Sequence, residues 1–165
     1  MMLQLITNRT AQDVFRWQEL KSKGWANMTA SERAEWTGDP AALNAPAAPR
    51  GAYNYTDLNR VEGAVEYLAA RLRELGYPVE RLYTRQWAST DVPTVSDMTR
   101  YLNNVKVIRE AFVILRTTPG VPGTMKNLDL DDANAIEQIL ADVDMLVNGM
   151  VASFVYSGDI FGGEM

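Results

Sequence analysis

The chain has 165 residues, with 16 Lys and Arg, 21 Asp and Glu, and neither His nor Cys. The absence of His and Cys excludes Ser-His-Asp and Cys-His triads, thiolate or imidazole metal sites, and disulfides. A hydrophobic fraction of 47% is typical of a folded domain with its own core, and a net charge of −5 argues against nucleic acid or an anionic membrane as the main partner.

The N-terminal part of the chain predicts a small helical appendage. Its first residues contain no basic segment followed by a long apolar run, so we expect no signal peptide. Thr10 and Asp13 form a capping-box pattern at the start of a helix over residues 10–24, and Gly24 is suited to end it. Thr29 and Glu32 repeat that pattern for a short helix that ends near residue 36.

Residues 37–50 contain three prolines and many alanines, which predict an extended linker. We therefore divide the chain into two parts. Residues 1–50 are the helical N-terminal appendage and its linker, and residues 51–165 are the main domain.

The main domain contains three segments with apolar residues at alternating steps of three and four, each behind a residue suited to cap a helix. The first stripe is Leu58, Val61, Val65, Leu68, Leu72 and Leu75. The second is Met98, Tyr101, Val105, Ile108, Phe112 and Leu115. The third is Ala133, Ile136, Leu140, Val143, Val147, Met150 and Phe154. Each stripe can be buried only against another, which predicts an all-α fold built on an antiparallel three-helix bundle.

The segments between and after these helices lack the helical period. Residues 77–92 alternate loosely, as an extended strap does, and residues 118–123 read as a turn. Residues 155–164 combine glycines with aromatic residues, which predicts an extended C-terminal tail that folds back or contacts a partner.

Few side chains are arranged as catalysis requires. Residues 129–134 faintly resemble a calcium loop, but the glycine and the final acidic ligand are missing, and helix capping explains the same carboxylates. Glu62 and Glu66 lie one helical turn apart, where we expect a solvated face. We therefore predict no catalytic, cofactor-binding or metal-ligating residue, and no enzymatic activity.

The charges are unevenly distributed along the chain. The last base is Lys126, and the 39 residues after it contain eight acids and no base, so the first 126 residues carry +3 and the remainder −8. Two interpretations stay open. The third helix of the bundle has its acids on a solvated face, or it offers an acidic surface to another subunit.

Aromatic residues mark two candidate interaction regions. Trp25, Trp36, Tyr53 and Tyr55 flank the linker, where they either join the appendage to the bundle or form a surface for a sugar or peptide. Tyr156, Ile160 and Phe161 belong to the glycine-rich tail.

Three strings of the chain together resemble a module of prophage-encoded, tail-associated structural proteins of Gram-positive bacteria. They are GAYNYTDLNRVE at 51–62, PTVSDMTRYLNNV at 93–105 and YSGDIFGGE at 156–164. The segments at 5–10 and 23–36 are similar to the N-terminal part of that module. The resemblance implies a virion component, located in the particle or in the host cytoplasm during assembly.

The resemblance also implies protein partners, either further copies of the chain or other phage structural proteins. The net charge predicts no nucleic-acid partner, and the lack of a stretch of about 18 apolar residues predicts no membrane insertion. An alternative is an adaptor that recognises a host-surface glycan or peptide through the aromatic residues. Within the first string, helix formation explains Asn59 and Arg60 least well. We expect Arg60 to pair with an acid of the third bundle helix or to bond carbonyls of the strap.

Overall fold

A computed structural model describes residues 3–37 and 51–161, with the backbone alone for residues 155–161. These parts of the chain contain helices and no strand. The helices are α1 (Ala11–Lys23), a single 3₁₀ turn (Trp25–Asn27), α2 (Ala30–Thr37), α3 (Tyr55–Glu74), α4 (Val95–Ala111) and α5 (Leu130–Phe161). The linker predicted over residues 37–50 falls outside the described residues from position 38 onward.

Polar side chains cap the starts of the helices, as the sequence predicts. Capping boxes pair Thr10 with Asp13, Asn54 with Asp57, and Thr94 with Asp97. The Asp129 carboxylate accepts the amide of Asp132 at 2.8 Å, and the Thr29 hydroxyl accepts the amide of Glu32 at 3.2 Å. Each cap satisfies a backbone N–H that has no partner within its helix, so the local sequence determines where each helix begins.

The predicted stripes form the core, and α3, α4 and α5 pack against one another. This confirms the all-α bundle of three helices beside a small helical N-terminal part. The fully buried residues of the stripes are Val61, Val65, Leu68, Leu72, Tyr101, Val105, Ile108, Ile136, Leu140, Val143 and Val147. The strap adds Val79 and Trp87 to the same core.

Contacts between α3 and α5 show that these two helices run in the same direction. Near the start of α3, Arg60 pairs with Glu137, the eighth residue of α5. Just after the end of α3, the Tyr77 hydroxyl contacts the Met150 sulfur at 3.6 Å. Residue numbers therefore increase in the same direction along α3 and α5, so the two helices are parallel.

The same holds for α3 and α4. The hydroxyls of Tyr53 and Tyr101 bond to each other where both helices begin, and the rings of Tyr77 and Phe112 meet at 4.9 Å where both end. The predicted antiparallel order is therefore wrong, and all three helices are parallel. The apolar stripes predict which faces are buried but leave the direction of each helix open.

Two long connectors make the parallel order achievable. In the strap between α3 and α4, Arg73 donates to the carbonyl of Glu80 at 3.2 Å, and the Asn59 side chain bonds the backbone of Trp87 in both directions. The strap thus returns along α3, extended as predicted. Residues 112–129 return in the same way, from Phe112 at one end to Leu128 beside Tyr53 at the other. Short loops would have required antiparallel neighbours.

Two helix ends differ from their predictions. Helix α4 ends at Ala111 and Phe112 has extended backbone, so Leu115 lies in the connector rather than in the stripe. Helix α5 continues to Phe161, which corrects the prediction of an extended tail over residues 155–161. A single glycine such as Gly158 disfavours a helix by only about 1 kcal/mol, too little to end one. The last four residues lie outside the described part of the chain.

The N-terminal part is held together by its own contacts. Trp17 of α1 stacks on Trp36 of α2 with ring centroids 6.4 Å apart, and Arg16 pairs with Glu35 at 2.7 Å. Gly51 then passes so close to α1 that a Cβ atom there would lie 2.2 Å from the Asp13 carbonyl oxygen. Only glycine permits this approach.

We predict that Leu68→Ala lowers the free energy of unfolding by about 2–5 kcal/mol, because it leaves a cavity in the fully buried stripe of α3. Urea unfolding followed by circular dichroism measures the change. Val113→Ala, at a position that is 76% exposed, is the control and should change stability by less than about 0.5 kcal/mol. Equal effects of the two substitutions would contradict the assignment of the core.

Candidate interaction surface

A buried ionic cluster joins the N-terminal segment to α3 and α5. The Glu137 carboxylate is 0% exposed and accepts bonds from Arg9 Nη2 at 2.6 Å, Arg60 Nη2 at 2.7 Å and the Ile6 amide at 2.6 Å. Asp57 accepts from Arg9 at 2.9 Å and also from Arg60. Two arginines therefore neutralise two carboxylates, and we name these four residues the ionic cluster.

The ionic cluster confirms that Arg60 pairs with an acid of the third bundle helix. Neighbouring bonds extend it, because the backbone of Arg9 exchanges bonds with the Asn134 side chain at 2.9 and 3.0 Å. Arg9 Nε is the one buried side-chain nitrogen or oxygen without a hydrogen-bond partner in the described residues. The four charged groups of the ionic cluster form ion pairs with one another, which is typical of a structural role.

A second buried acid anchors the strap and α4. Glu62 is 1% exposed, pairs with Arg100 at 2.7 Å and accepts the Trp87 indole N–H at 3.4 Å. The expectation that Glu62 lies on a solvated face is therefore wrong, whereas Glu66 is exposed as expected. The burial of Glu62 could not be predicted from the sequence, because its partners, Arg100 and Trp87, lie on separate segments of the chain.

Acids of α5 are also turned inward. Asp142 is 6% exposed and accepts bonds from the Thr118 hydroxyl at 2.6 Å and the Gln138 amide at 2.7 Å. Asp144 is 5% exposed and accepts from the Asn148 amide at 3.1 Å. Together with Glu137, these burials correct the interpretation of α5 as a helix with its acids on a solvated face.

Two tyrosines lie beside the ionic cluster. Tyr101 is 1% exposed, and burial raises the pKa of its phenol well above the usual value, with the Tyr53 hydroxyl adding to the rise. Burial also raises the pKa of Tyr53, although its bond to Tyr101 acts in the opposite direction. The pair stays protonated at neutral pH and bonds α4 to the segment that precedes α3.

Two open clefts lie at the end of the bundle where the helices begin. One, of about 550 Å³, separates the first turns of α4 from residues 123–128. The other, of about 540 Å³, lies between α1 and the first turn of α5. They share Tyr53 and Leu128 and are lined mainly by apolar side chains. Neither contains a converging set of polar groups that would define a ligand.

The aromatic residues singled out from the sequence lie in separate places. Trp25 is 53% exposed and carries the Arg33 guanidinium 5.3 Å from its ring centre, while Trp36 stacks within the α1–α2 unit. Tyr53 bonds Tyr101, and Tyr55 is 41% exposed in the first turn of α3. The side chains of Tyr156, Ile160 and Phe161 lie outside the described residues, although their backbone belongs to α5.

Helix α5 extends beyond the rest of the bundle. It has 32 residues, against 20 in α3 and 17 in α4, and its contact with Tyr77 at Met150 marks the level where α3 has ended. Among the side chains of α5 that the structure describes, up to residue 154, Val147 is the last one buried in the core, and Phe154 is 67% exposed. At 1.5 Å per residue, the helix continues for roughly 16 Å past Met150. We name residues 150–161 the projecting segment.

Exposed arginines lie near the end of the bundle from which the projecting segment emerges. Arg73 is in the last turn of α3, Arg81 follows in the strap, and Arg116 follows the end of α4. None of the three forms an ion pair within residues 3–37 and 51–154. We name these three residues the basic rim, and the projecting segment together with this rim is the candidate interaction surface.

In comparisons with known proteins, no family model, curated protein or solved structure matches the chain. Among the described helices, none has the length and apolar character needed to cross a membrane. Within the same residues, no group of three or more acidic side chains is placed to hold a metal ion.

We predict that Glu137→Gln destabilises the fold by about 3–5 kcal/mol, because it leaves two buried arginines with a single carboxylate between them. Urea unfolding at neutral pH measures the loss. Glu19→Gln is the control, since Glu19 pairs with Arg16 at a position 53% exposed, and its effect should stay within about 1 kcal/mol. A Glu137→Gln variant as stable as this control would show that the ionic cluster does not support the fold.

We also predict a loss of stability above pH 10 that depends on Tyr101. A phenol whose pKa is raised in the folded state stabilises the protein fully below its unfolded pKa of about 10, and this contribution disappears as the pH rises toward the folded pKa. Urea unfolding at pH 8, 10 and 11.5 should show a weaker alkaline loss in Tyr101→Phe. The control Tyr83→Phe, 72% exposed, should keep the parent pH dependence. Identical profiles for both variants would contradict the prediction.

Proposed function

We propose that this chain is a non-enzymatic assembly protein of a phage or prophage particle, in or near its tail or baseplate. It acts through protein–protein contacts, and the projecting segment is the contact surface. The three strings that resemble tail-associated modules support the assignment to a phage particle. The geometry of α5 supports action through protein–protein contacts.

One observation carries the proposal, namely that the apolar stripe of α5 continues after its partner helices have ended. Val143 and Val147 are buried, and they are followed at steps of three and four by Met150, which is half-buried, and Phe154, which is 67% exposed. Isolated exposed apolar residues are common on protein surfaces, but an extension of the core stripe is not. Burying a large apolar side chain is worth about 1.5–3 kcal/mol, so such a stripe favours association.

The charged groups support a structural role over a catalytic one. Asp57 and Glu137, the two acids that share Arg9 and Arg60, are already matched by these arginines. A general acid or base needs a proton-accepting group that faces substrate. These carboxylates face arginines and backbone amides instead.

The alternative, an adaptor for a host-surface glycan or peptide, has less support. Trp25 and Trp36 belong to the α1–α2 unit, whereas Tyr53 and Tyr55 lie at the start of α3. The four rings are engaged with different neighbours, and Tyr53 is bonded to Tyr101. An aromatic binding platform would require several of them to share one open face.

The proposal is tested by inducing the prophage of the host that encodes the chain and analysing density-purified particles by quantitative mass spectrometry. We expect the chain at a fixed stoichiometry relative to tail proteins, and at lower occupancy when its gene carries Phe154→Glu. Phe15→Glu, at an exposed position on α1, is the matched control and should leave the occupancy unchanged. Absence of the chain from purified particles would contradict the proposed function.

A further inference from the structure

We propose that the end of the bundle where the helices begin binds an amphipathic helix of a different protein, one whose polar face carries lysines or arginines. The apolar side chains of that helix enter the two clefts that share Tyr53 and Leu128. This contact goes beyond the proposed function, because it lies at the opposite end of the bundle from the projecting segment. The chain then joins two partners, and the projecting segment remains its anchor in the particle.

Exposed apolar side chains gather around these two clefts. Phe15 lines the cleft between α1 and α5 and is 69% exposed, and Val95 lines the cleft beside α4 and is 86% exposed. Val92 precedes Pro93 of the same cleft and is 84% exposed. Exposed apolar residues that adjoin open apolar clefts are typical of a site that contacts another molecule. We name the two clefts together with Val92 the apolar end face.

The clefts have room for the side chains of a partner helix. Their volumes of about 550 and 540 Å³ fall within the range of roughly 300–1,000 Å³ that ligand sites occupy. Met98 and Met125 are half-buried in the first cleft, and the flexible methionine side chain adapts to the shape of an apolar partner. Because the clefts adjoin, two side chains on one face of a helix reach both of them.

A helix is the form of segment that this surface accepts. An extended segment gains affinity by pairing its backbone with the exposed edge of a sheet, and residues 3–37 and 51–161 contain no strand. The backbone groups of a helix bond to one another, so a helix binds through the side chains on one face. Apolar residues at steps of three and four form such a face.

Carboxylates beside the apolar end face select a basic partner. Asp129 and Asp131 are exposed, and Asp132 is half-buried, all at the start of α5. None of the three forms an ion pair within the part of the chain that the structure describes. The start of a helix carries only about half a positive charge, so these carboxylates leave the region negative.

The other charges at this end do not reverse that sign. Lys126 is an exposed base in the cleft beside α4. Arg85 pairs with Asp91 at 3.3 Å and with Asp97 at 3.6 Å, and Asp13 belongs to the capping box of α1. These three carboxylates outnumber the two bases. The ionic cluster is balanced, with two arginines for two carboxylates.

The same charges argue against a second copy of this chain as the occupant. Two apolar end faces in contact would bring their carboxylates together. The projecting segment of another copy offers no base, since the chain has none after Lys126. An anionic membrane is disfavoured for the same reason. We therefore assign the contact to a different protein.

Fluorescence anisotropy with labelled synthetic peptides tests the contact on the full chain. The probe is a helical peptide of Leu, Lys and Ala with leucines at steps of three and four, and every Lys is Glu in the matched control peptide. We expect the Lys peptide to bind with a Kd below about 100 μM and the Glu peptide to bind at least about tenfold more weakly. A Lys peptide that does not bind at this concentration, or equal binding of both peptides, overturns the proposal.

Substitutions to serine test whether the Lys peptide binds at the apolar end face. Val95→Ser and Phe15→Ser should each weaken binding by about threefold or more, because each removes apolar surface from one cleft. Both positions are exposed, so the circular dichroism melt should not change. Val113→Ser, at a position 76% exposed just after α4, is the matched control and should leave Kd unchanged. Equal effects of Val95→Ser and Val113→Ser overturn the proposed site.

Charge substitutions test the preference for a basic helix. Asp131→Lys should weaken binding of the Lys peptide several-fold, and Lys126→Glu should strengthen it several-fold. Glu80→Lys makes the same change as Asp131→Lys at an exposed position near the end of α3, and it is the control. Charges are screened over about 8 Å at physiological salt, so this control should leave Kd unchanged. If Asp131→Lys has no larger effect than Glu80→Lys, the preference for a basic partner is wrong.

Two further measurements test other occupants. If Val95→Ser weakens self-association of the chain in sedimentation equilibrium, a second copy is the occupant. If Val95→Ser abolishes co-sedimentation with phosphatidylcholine vesicles, a lipid surface is the occupant. Either result overturns the assignment to a different protein.

The particle experiment separates this contact from the proposed function. A chain that binds the Lys peptide at the apolar end face but is absent from particles refutes only the phage role. A chain that is present in particles but does not bind the Lys peptide refutes only this contact.

Discussion

The buried carboxylate of Glu137 is the constraint on which the rest of the structure depends. Moving a carboxylate from water into a protein core is unfavourable by several kcal/mol, so the charge must be matched by nearby cations and donors. Arg9, Arg60 and the Ile6 amide supply that match. These groups belong to the N-terminal segment and to the start of α3. Their bonds to Glu137 therefore hold both segments against the beginning of α5.

The parallel order of α3 and α5 follows from this meeting point, and that of α4 follows from the contacts of Tyr101 and Phe112. This order has an electrostatic consequence. The positive ends of the dipoles of α3, α4 and α5 lie at the same end of the molecule, where they repel one another. Each of these helices has an aspartate at its third position, Asp57, Asp97 or Asp132, which offsets that charge locally. The opposite end carries the projecting α5, so the two ends of the bundle differ in shape.

Local patterns in the sequence predict the helices and the faces that they bury, because capping and apolar periodicity act within a few residues. The direction of a helix cannot be predicted in this way, because the apolar stripe that contains Leu68 or Ile108 is the same in a parallel and an antiparallel bundle. The one feature of the sequence that indicates helix direction is the length of the connectors. Residues 75–94, fully extended at about 3.3 Å each, span roughly twice the 30 Å of α3, and short loops between antiparallel neighbours have no need of that reach.

Burial of charged residues was the other feature that the sequence could not predict. Glu62 and Glu137 each follow a core residue, Val61 and Ile136, and a position beside a stripe is solvated or buried according to what packs over it. The strap covers Glu62 and the N-terminal segment covers Glu137, and both are remote in sequence. The projecting part of α5 was missed for a related reason, since glycines near its end suggested a tail although the helical backbone tolerates them.

The parallel order is tested most directly by distances between spin labels in two double-cysteine variants. One carries labels at Thr56 and Ser96, in the first turns of α3 and α4, and the other at Thr56 and Glu110, near the end of α4. We expect the second distance to exceed the first by about 10–15 Å. The reverse order of the two distances would contradict the parallel order, because α4 would then run opposite to α3.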